Sequence, residues 1–334
     1  MTIETYDQEF NVPSETTVTE KKDSLMDNPI DILFVAGFGR SGSTVLAQVL
    51  GQVDGLVSAG EVRHLWSRGI LENQLCGCGS AFNDCSFWQA VTQDQLGLTV
   101  DDVHDRVYPL QREVDGIPQI PRLFWKRLRS AADQRNIDDY VSVLGDLLRA
   151  IRDVSGSSLV VDASKTAMHG LLLTMIPGAR VHVLHLVRDP RAVAFSWRRK
   201  RNRPEVTTAR TLMPRYSLLK SSIWWAGSNA FSERLAQHAA SYHRTRYEDF
   251  ISNPLDTTQA VLKAAGVEPG LLDFISESEV DLRPQHTVAG NPSRFSTGPV
   301  KLRIDEEWKQ SMSGSARGLV SCLTGRMLSR YGYR

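Results

Sequence analysis

The sequence predicts a three-layer α/β sandwich, with a central parallel sheet covered by helices on both faces and a helical cap beside it. Three observations carry that reading. Strand candidates at 32–36, 56–59, 158–162, 181–187 and 241–246 alternate with helix-like stretches, the order expected when each parallel crossover is a helix. The run from Asp31 to Leu50, DILFVAGFGRSGSTVLAQVL, passes from an apolar strand through a glycine-rich turn into a helical pattern. With 334 residues, 41% of them hydrophobic, the chain can bury a substantial core.

Residues 1–29 are polar, rich in Thr, Glu, Asp and Lys, and read as a disordered tail ahead of a single domain over 30–334. The tail lacks an apolar h-region, and no apolar run approaches the length of a membrane span. That implies a cytoplasmic protein without stable membrane insertion.

The first strand ends in a turn where Gly37, Gly39 and Gly42 permit backbone angles closed to other residues and let amides approach a ligand. A helix from about Thr44 aims its unpaired N–H groups and dipole at the same point. Together they read as an anion cradle, against the plainer reading of an ordinary strand-to-helix connection. The spacing nearly matches the nucleotide-binding pattern G-x-x-x-x-G-K-[ST], but Ser43 stands where the lysine belongs, and the basic residue is Arg40. A binder of nucleoside triphosphate and Mg²⁺ should keep that lysine, so a different phosphate ester is expected.

The second strand leads into Gly60-Glu61-Val62-Arg63, where Glu61 taken singly reads as a salt-bridged surface carboxylate. Then comes CGCGSAFNDC, with Cys76, Cys78 and Cys85 within ten residues. Three ligands fall short of the four of a structural zinc site, and His64 and Cys322 are the only candidates for a fourth. Free thiols and a small disulfide-tied loop compete with that reading, and no metal is assigned. Phe87 and Trp88 should anchor this loop to the core.

Residues 120–154 repeat apolar positions at three and four, predicting a helical pair that forms the cap over about 120–155. The third strand closes in VVDASK, leaving Lys165 at its carboxyl end, where a solvated lysine is the plain reading. In VHVLHLVRDPRAVAFSWRRKR the fourth strand ends at Arg188, Asp189 can cap a helix, and Pro190 takes its first position. Ser196 follows Arg188 by eight residues, about two helical turns, so both could face one bound group.

Seven of the sixteen residues from Arg188 to Arg203 are basic, but the whole chain carries a formal charge of only +1 and shows no recognition-helix or RNA-binding pattern. Nucleic acid is therefore not expected as a partner, and Arg198 to Arg201 read as a solvated helix end adding positive potential. The fifth strand lies in YHRTRYEDF, Tyr242 to Phe250. His286 to Trp308 is rich in Gly, Pro, Asn and Ser, as a long ordered loop would be.

Arg40-Ser41-Gly42-Ser43-Thr44 resembles the 5′-phosphosulfate loop of sulfotransferases that use 3′-phosphoadenosine 5′-phosphosulfate (PAPS), and Arg188 with Ser196 resembles their 3′-phosphate motif. Three further segments are similar to the tyrosylprotein and carbohydrate branch, although the chain looks like a soluble bacterial type. The resemblance spans about Asp31 to Trp308. It implies a P-loop-like sulfotransferase fold, PAPS as cofactor, adenosine 3′,5′-bisphosphate as product, and no obligatory metal. Glu61 becomes the implied general base, with Lys165 and Arg40 as further catalytic residues, Arg40 offsetting charge on the leaving oxygen. Arg40, Ser41, Gly42, Ser43 and Thr44 become 5′-phosphate ligands, Arg188 and Ser196 3′-phosphate ligands, and Tyr247 a neighbour of the adenine. The loop at 284–304 would cover the cofactor, with Arg294 and then Lys301 reaching the 3′-phosphate. Arg63 and His286 are substrate candidates, His286 with a structural role as its alternative.

The acceptor would be a small-molecule, glycan or lipid-linked hydroxyl. Trp66, Trp125, Trp197, Trp224 and Trp225 could stack on it, although core packing is the plainer reading for tryptophans at these spacings. Two other classes remain open at this point: a P-loop kinase, with Thr44 and Asp162 or Asp189 holding Mg²⁺, and a nucleotide-binding regulator without turnover.

Overall fold

A computed structural model describes residues 28–200 and 213–333, so nearly all of the polar tail and the end of the basic run lie outside the described residues. Five strands form one parallel sheet: β1 (Ile30–Gly37), β2 (Leu56–Gly60), β3 (Leu159–Lys165), β4 (Ala179–Val187) and β5 (Ser241–Arg246), in the spatial order β2-β3-β1-β4-β5. Each matches a strand read from the sequence. β1 lies at the centre, with Ile32 opposite Val160 on one side and Val181 on the other.

Side chains alternate across a strand, and that period divides the core in two. On one face Ile32, Phe34, Val160, Val181 and Val183 are buried together with Leu144, Leu148, Leu171 and Leu172. On the other, Leu33, Val35, Val161, Leu184 and Leu186 are buried with Leu46, Leu50, Val261 and Leu262. A strand buried on both faces must be apolar throughout, which is why these runs are continuous rather than alternating.

The long helices are α1 (Ser43–Leu50), α2 (Ala131–Ser155), α3 (Ala167–Leu173), α4 (Pro190–Arg198), α5 (Leu218–Leu235), α6 (Pro254–Ala264) and α7 (Gly314–Arg330). Their ends are written in the sequence. Ser130 and Asp133 form a reciprocal capping box on α2, which stops at Gly156 in the left-handed conformation (φ 64°). On α4 the Asp189 carboxylate accepts from the Arg191 amide at 2.8 Å, with Pro190 behind it, as the sequence predicts.

Two segments differ from expectation. The helical pair expected over 120–154 is short turns followed by the single 25-residue helix α2. Helical turns between Val62 and Val114 pack against α2 and build the cap from earlier residues. The segment expected as one long loop also contains a 3₁₀ turn (Pro292–Phe295) and strand β7 (Gly298–Lys301), which pairs antiparallel with β6 (Glu279–Leu282). In the connection between those two strands, Val288 pairs with Gly60 and covers the open edge of β2. None of the described helices is long and apolar enough to cross a membrane.

Candidate active site

All five strands run in one direction, so their carboxyl ends share one rim, the place where open α/β sheets bind ligands. From one edge to the other, that rim carries Glu61 after β2, Lys165 ending β3, the 37–44 turn after β1, Arg188 after β4 and Tyr247 after β5.

The central turn is tightly formed. Arg40 and Gly42 have φ of 72° and 83°, and a Cβ on Gly42 would lie 2.5 Å from the Tyr247 ring. Only glycine fits there without displacing the ring. The Arg40 guanidinium lies 5.0 Å over the Trp197 ring, and its Nη2 is 2.9 Å from the Met213 sulfur. Ser41 is buried, its Oγ has no hydrogen-bond partner, and α1 begins at Gly42 without a side-chain cap or an acidic residue in its first turn. The turn thus offers amides, a hydroxyl and a cation to an anion.

Arg188 stands on the β5 side of the turn. Its Nη1 donates to the Arg40 carbonyl at 3.0 Å, and its guanidinium lies 4.4 Å over the Tyr247 ring. Asp305, a residue sequence reasoning missed, accepts from Nη2 through its carbonyl at 3.2 Å and pairs with it through its carboxylate at 3.4 Å. The Arg188 Nε is buried without a partner. Ser196 is buried in α4. Tyr247 is wedged between Gly42 and Arg188, with its hydroxyl donating to the Arg303 carbonyl at 3.4 Å.

On the β2 side, the Lys165 Nζ donates to Glu61 Oε1 at 2.5 Å and to the Ala163 carbonyl at 2.8 Å. Lys165 reaches this position from a left-handed backbone (φ 69°), which is costly for a residue with a Cβ. Burial alone would push the Glu61 carboxyl up, but the charge of Lys165, then those of His64 once protonated and of Arg68, hold it down at about 2. His64, 3.6 Å away, is driven to about 3 by burial and by Arg68, so it is neutral at neutral pH and Lys165 is the direct counterion. Neither Glu61 nor Lys165 is the solvated surface group that either would be taken for singly.

Asp162 organises this pair from beneath. Its Oδ1 accepts from the Ser164 amide at 2.9 Å, the Ser164 hydroxyl at 2.5 Å and the Val62 amide at 3.4 Å, while Oδ2 lies 2.8 Å from His169 Nε2. Asp189 is engaged by Arg191 and its amide. Both carboxylates that could join Thr44 in holding Mg²⁺ are thus committed to protein partners, which argues against the kinase alternative.

Other expected residues have different surroundings. Arg63 Nε donates to the Asp115 carboxylate at 2.8 Å, and its Nη2 to the Asp115 carbonyl at 2.9 Å. Arg294, 2% exposed, directs its guanidinium to the carbonyls of Thr287 (2.8 Å) and Leu75 (2.6 Å). That ties the covering segment to the cap, on the Glu61 side of the turn. Lys301 is exposed on β7. His286 sits among Cys76, Cys78 and Cys85, where His64 or Cys322 had been the candidates. Trp66 and Trp225 are core, whereas Trp125 and Trp224 are about 40% exposed. Trp88 is buried and stacks on Phe82 at 4.9 Å, anchoring the cysteine loop.

A profile of the sulfotransferase family matches residues 32–269. The fold is similar to the sulfotransferase domain from the Synechococcus PCC 7002 olefin synthase, at 18% identity and a TM-score of 0.51, over 92% of this chain and 96% of that one. It is also similar to the sulfotransferase domain from the curacin biosynthetic pathway, at 16% identity and a TM-score of 0.51, over 92% and 98% of the two chains. Among curated proteins, nothing matches the chain.

Proposed function

The chain belongs to the sulfotransferase family, and from that premise we propose that it moves the sulfuryl group of PAPS to a hydroxyl of a small-molecule, glycan or lipid-linked acceptor. The observation that carries this reading is the rim itself: a carboxylate held by a lysine at one edge, an uncapped glycine-rich turn in the middle and a buried arginine beyond it. The residues fit the cofactor, because the unpartnered Ser41 Oγ within the turn and Arg188 Nε on its β5 side suit two anionic groups.

When bound, PAPS supplies an activated sulfuryl group and a bisphosphate leaving group. The amides and hydroxyls of Ser41 to Thr44, with Arg40, hold the 5′-phosphate and offset charge growing on the leaving oxygen. Arg188 and Ser196 take the 3′-phosphate, where the planar guanidinium suits a phosphate ester. Tyr247 fixes the Arg188 plane and the turn beneath the nucleotide. Glu61 accepts the acceptor hydroxyl's proton on a carboxylate oxygen.

A carboxylate held at about 2 is a weak base, so the lysine must act in both states. Were Lys165 to pair with the sulfuryl group instead, Glu61 would lose the charge that holds it acidic and its proton affinity would rise. A sulfuryl group carries less negative charge than a phosphoryl group, in keeping with a turn that lacks the P-loop lysine. Calorimetric titration tests the reading. Adenosine 3′,5′-bisphosphate should bind far more tightly than 5′-AMP, and turnover of PAPS should then be found with a hydroxylated acceptor. Binding of ATP with Mg²⁺ but not of the bisphosphate would overturn it.

A further inference from the structure

Cys76, Cys78 and Cys85 lie far from His286 in sequence, yet their three sulfurs and one ring nitrogen lie within 4.8 Å of one another. The Cys78 and Cys85 sulfurs are 3.8 Å apart, and His286 Nδ1 is 3.2 Å from the Cys85 sulfur and 3.9 Å from that of Cys76. Four ligands around a tetrahedral Zn²⁺, with Zn–S near 2.3 Å and Zn–N near 2.0–2.1 Å, would stand about 3.5–3.8 Å apart. We propose that these four side chains form a structural zinc site that fastens the covering segment to the cap.

The surroundings suit that role. The amides of Cys78, Ser80 and Trp88 are directed at the sulfurs of Cys76, Cys78 and Cys85, the kind of outer support that orients thiolate ligands. Gly79, with φ 94°, allows the turn in which its amide donates to the Cys76 carbonyl at 2.9 Å, while the Cys76 amide donates to Ser80 at 2.8 Å. The His286 ring stacks on Phe87 at 5.0 Å, which fixes its plane with Nδ1 toward the thiols. A disulfide between Cys78 and Cys85 would need the sulfurs near 2.05 Å and would strand Cys76 and His286. Four converging donors of two kinds are better accounted for by one cation.

The site bears on the proposed base. Two residues after His286, Val288 donates to the Ala59 carbonyl at 3.0 Å and accepts from the Glu61 amide at 2.8 Å. Gly77, between two of the cysteines, donates to the Thr287 carbonyl at 2.9 Å. Zinc would therefore hold the strip that positions the Glu61 backbone. The zinc site and this backbone coupling stand without the sulfuryl-transfer reading; only an effect on turnover rests on it.

The full chain, produced with zinc in the medium and purified under reducing conditions without chelator, should carry one zinc per chain by plasma mass spectrometry. Its cobalt-exchanged form should show the visible bands of tetrahedral thiolate coordination. Cys78→Ser should lose the metal, and Cys322→Ser should keep it. Should Cys78→Ser fail to fold, His286→Cys decides instead: zinc is retained and the sulfur-to-cobalt charge-transfer band grows with the added thiolate. Chelation should abolish slow amide exchange at Glu61 and Val288, whether or not an acceptor is known. Zinc well below one per chain with no cobalt bands, or a Cys78–Cys85 disulfide that persists in the zinc-free protein, would overturn the proposal. An unchanged cobalt spectrum in His286→Cys would remove His286 from the site.

Discussion

Replacing Glu61 with Gln keeps the side chain's size and an oxygen for Lys165 but removes the negative charge and the basic site. General-base catalysis contributes about 10²–10⁴-fold, so kcat should fall by that factor, equivalent to about 3–5 kcal/mol of barrier. Cofactor binding should change by less than about tenfold. β2 and β4 are separated by β3 and β1, which at about 4.8 Å per strand places Glu61 about 14 Å from Arg188. Across that distance, at the effective dielectric of about 20 that suits partly buried groups, one charge contributes about 1 kcal/mol, less than about tenfold in affinity and, for the loss of a negative charge, toward tighter anion binding. The assay pairs single-turnover transfer from labelled PAPS with calorimetric titration of the bisphosphate. A variant that keeps more than about a tenth of kcat would remove Glu61 as the base. A variant that binds the bisphosphate about tenfold more weakly would refute the separation of proton acceptor and 3′-phosphate along the rim.

Arg188→Ala removes the buried guanidinium beyond the turn; bisphosphate affinity should drop by about 10–100-fold, as for a charged hydrogen bond, with 5′-AMP binding nearly unchanged in the same titration. Gly42→Ala places a Cβ 2.5 Å from the Tyr247 ring at a φ of 83°, costing about 1–2 kcal/mol for the backbone alone, and calorimetry should show Tm lowered by several degrees. His185, hydrogen-bonded to Tyr242 and Asn229, is lowered to about 4 from 6.5 by burial. The unfolded chain then binds the extra proton between those values, so stability is complete above pH 6.5 and falls by about 3 kcal/mol as pH drops toward 4. His185→Gln should flatten that part of the Tm–pH curve, and an unchanged slope would show that other groups set it.

The sequence by itself determined the sheet and most of its rim. The central strands were legible because a strand buried on both faces must be apolar throughout, whereas β5, SYHRTR at the sheet edge, is polar and only partly buried; a glycine turn running into a helix marks itself locally. Asp189 as a cap and Pro190 behind it were legible for the same reason, since a helix end is decided within a few residues. Glu61, Lys165 and Arg188 could be placed at strand ends, but their partners could not. That Lys165 rather than water answers Glu61 follows from β2 and β3 being neighbours, which no short window of sequence encodes.

Only the tertiary structure decided what depends on distant backbone meeting. Asp305 reaches Arg188 across 117 positions, and Arg294 reaches Leu75 across 219. The four-residue strands of the β6–β7 hairpin were too short to carry a period. His286 meets the cysteines because Val288 pairs with the edge of β2, and that pairing is specified by backbone hydrogen bonds rather than by residue type. Local propensity and burial pattern are properties of a segment and can be read from it; which segments become neighbours is settled by the packing of the whole core, and the chemistry of this rim belongs to both.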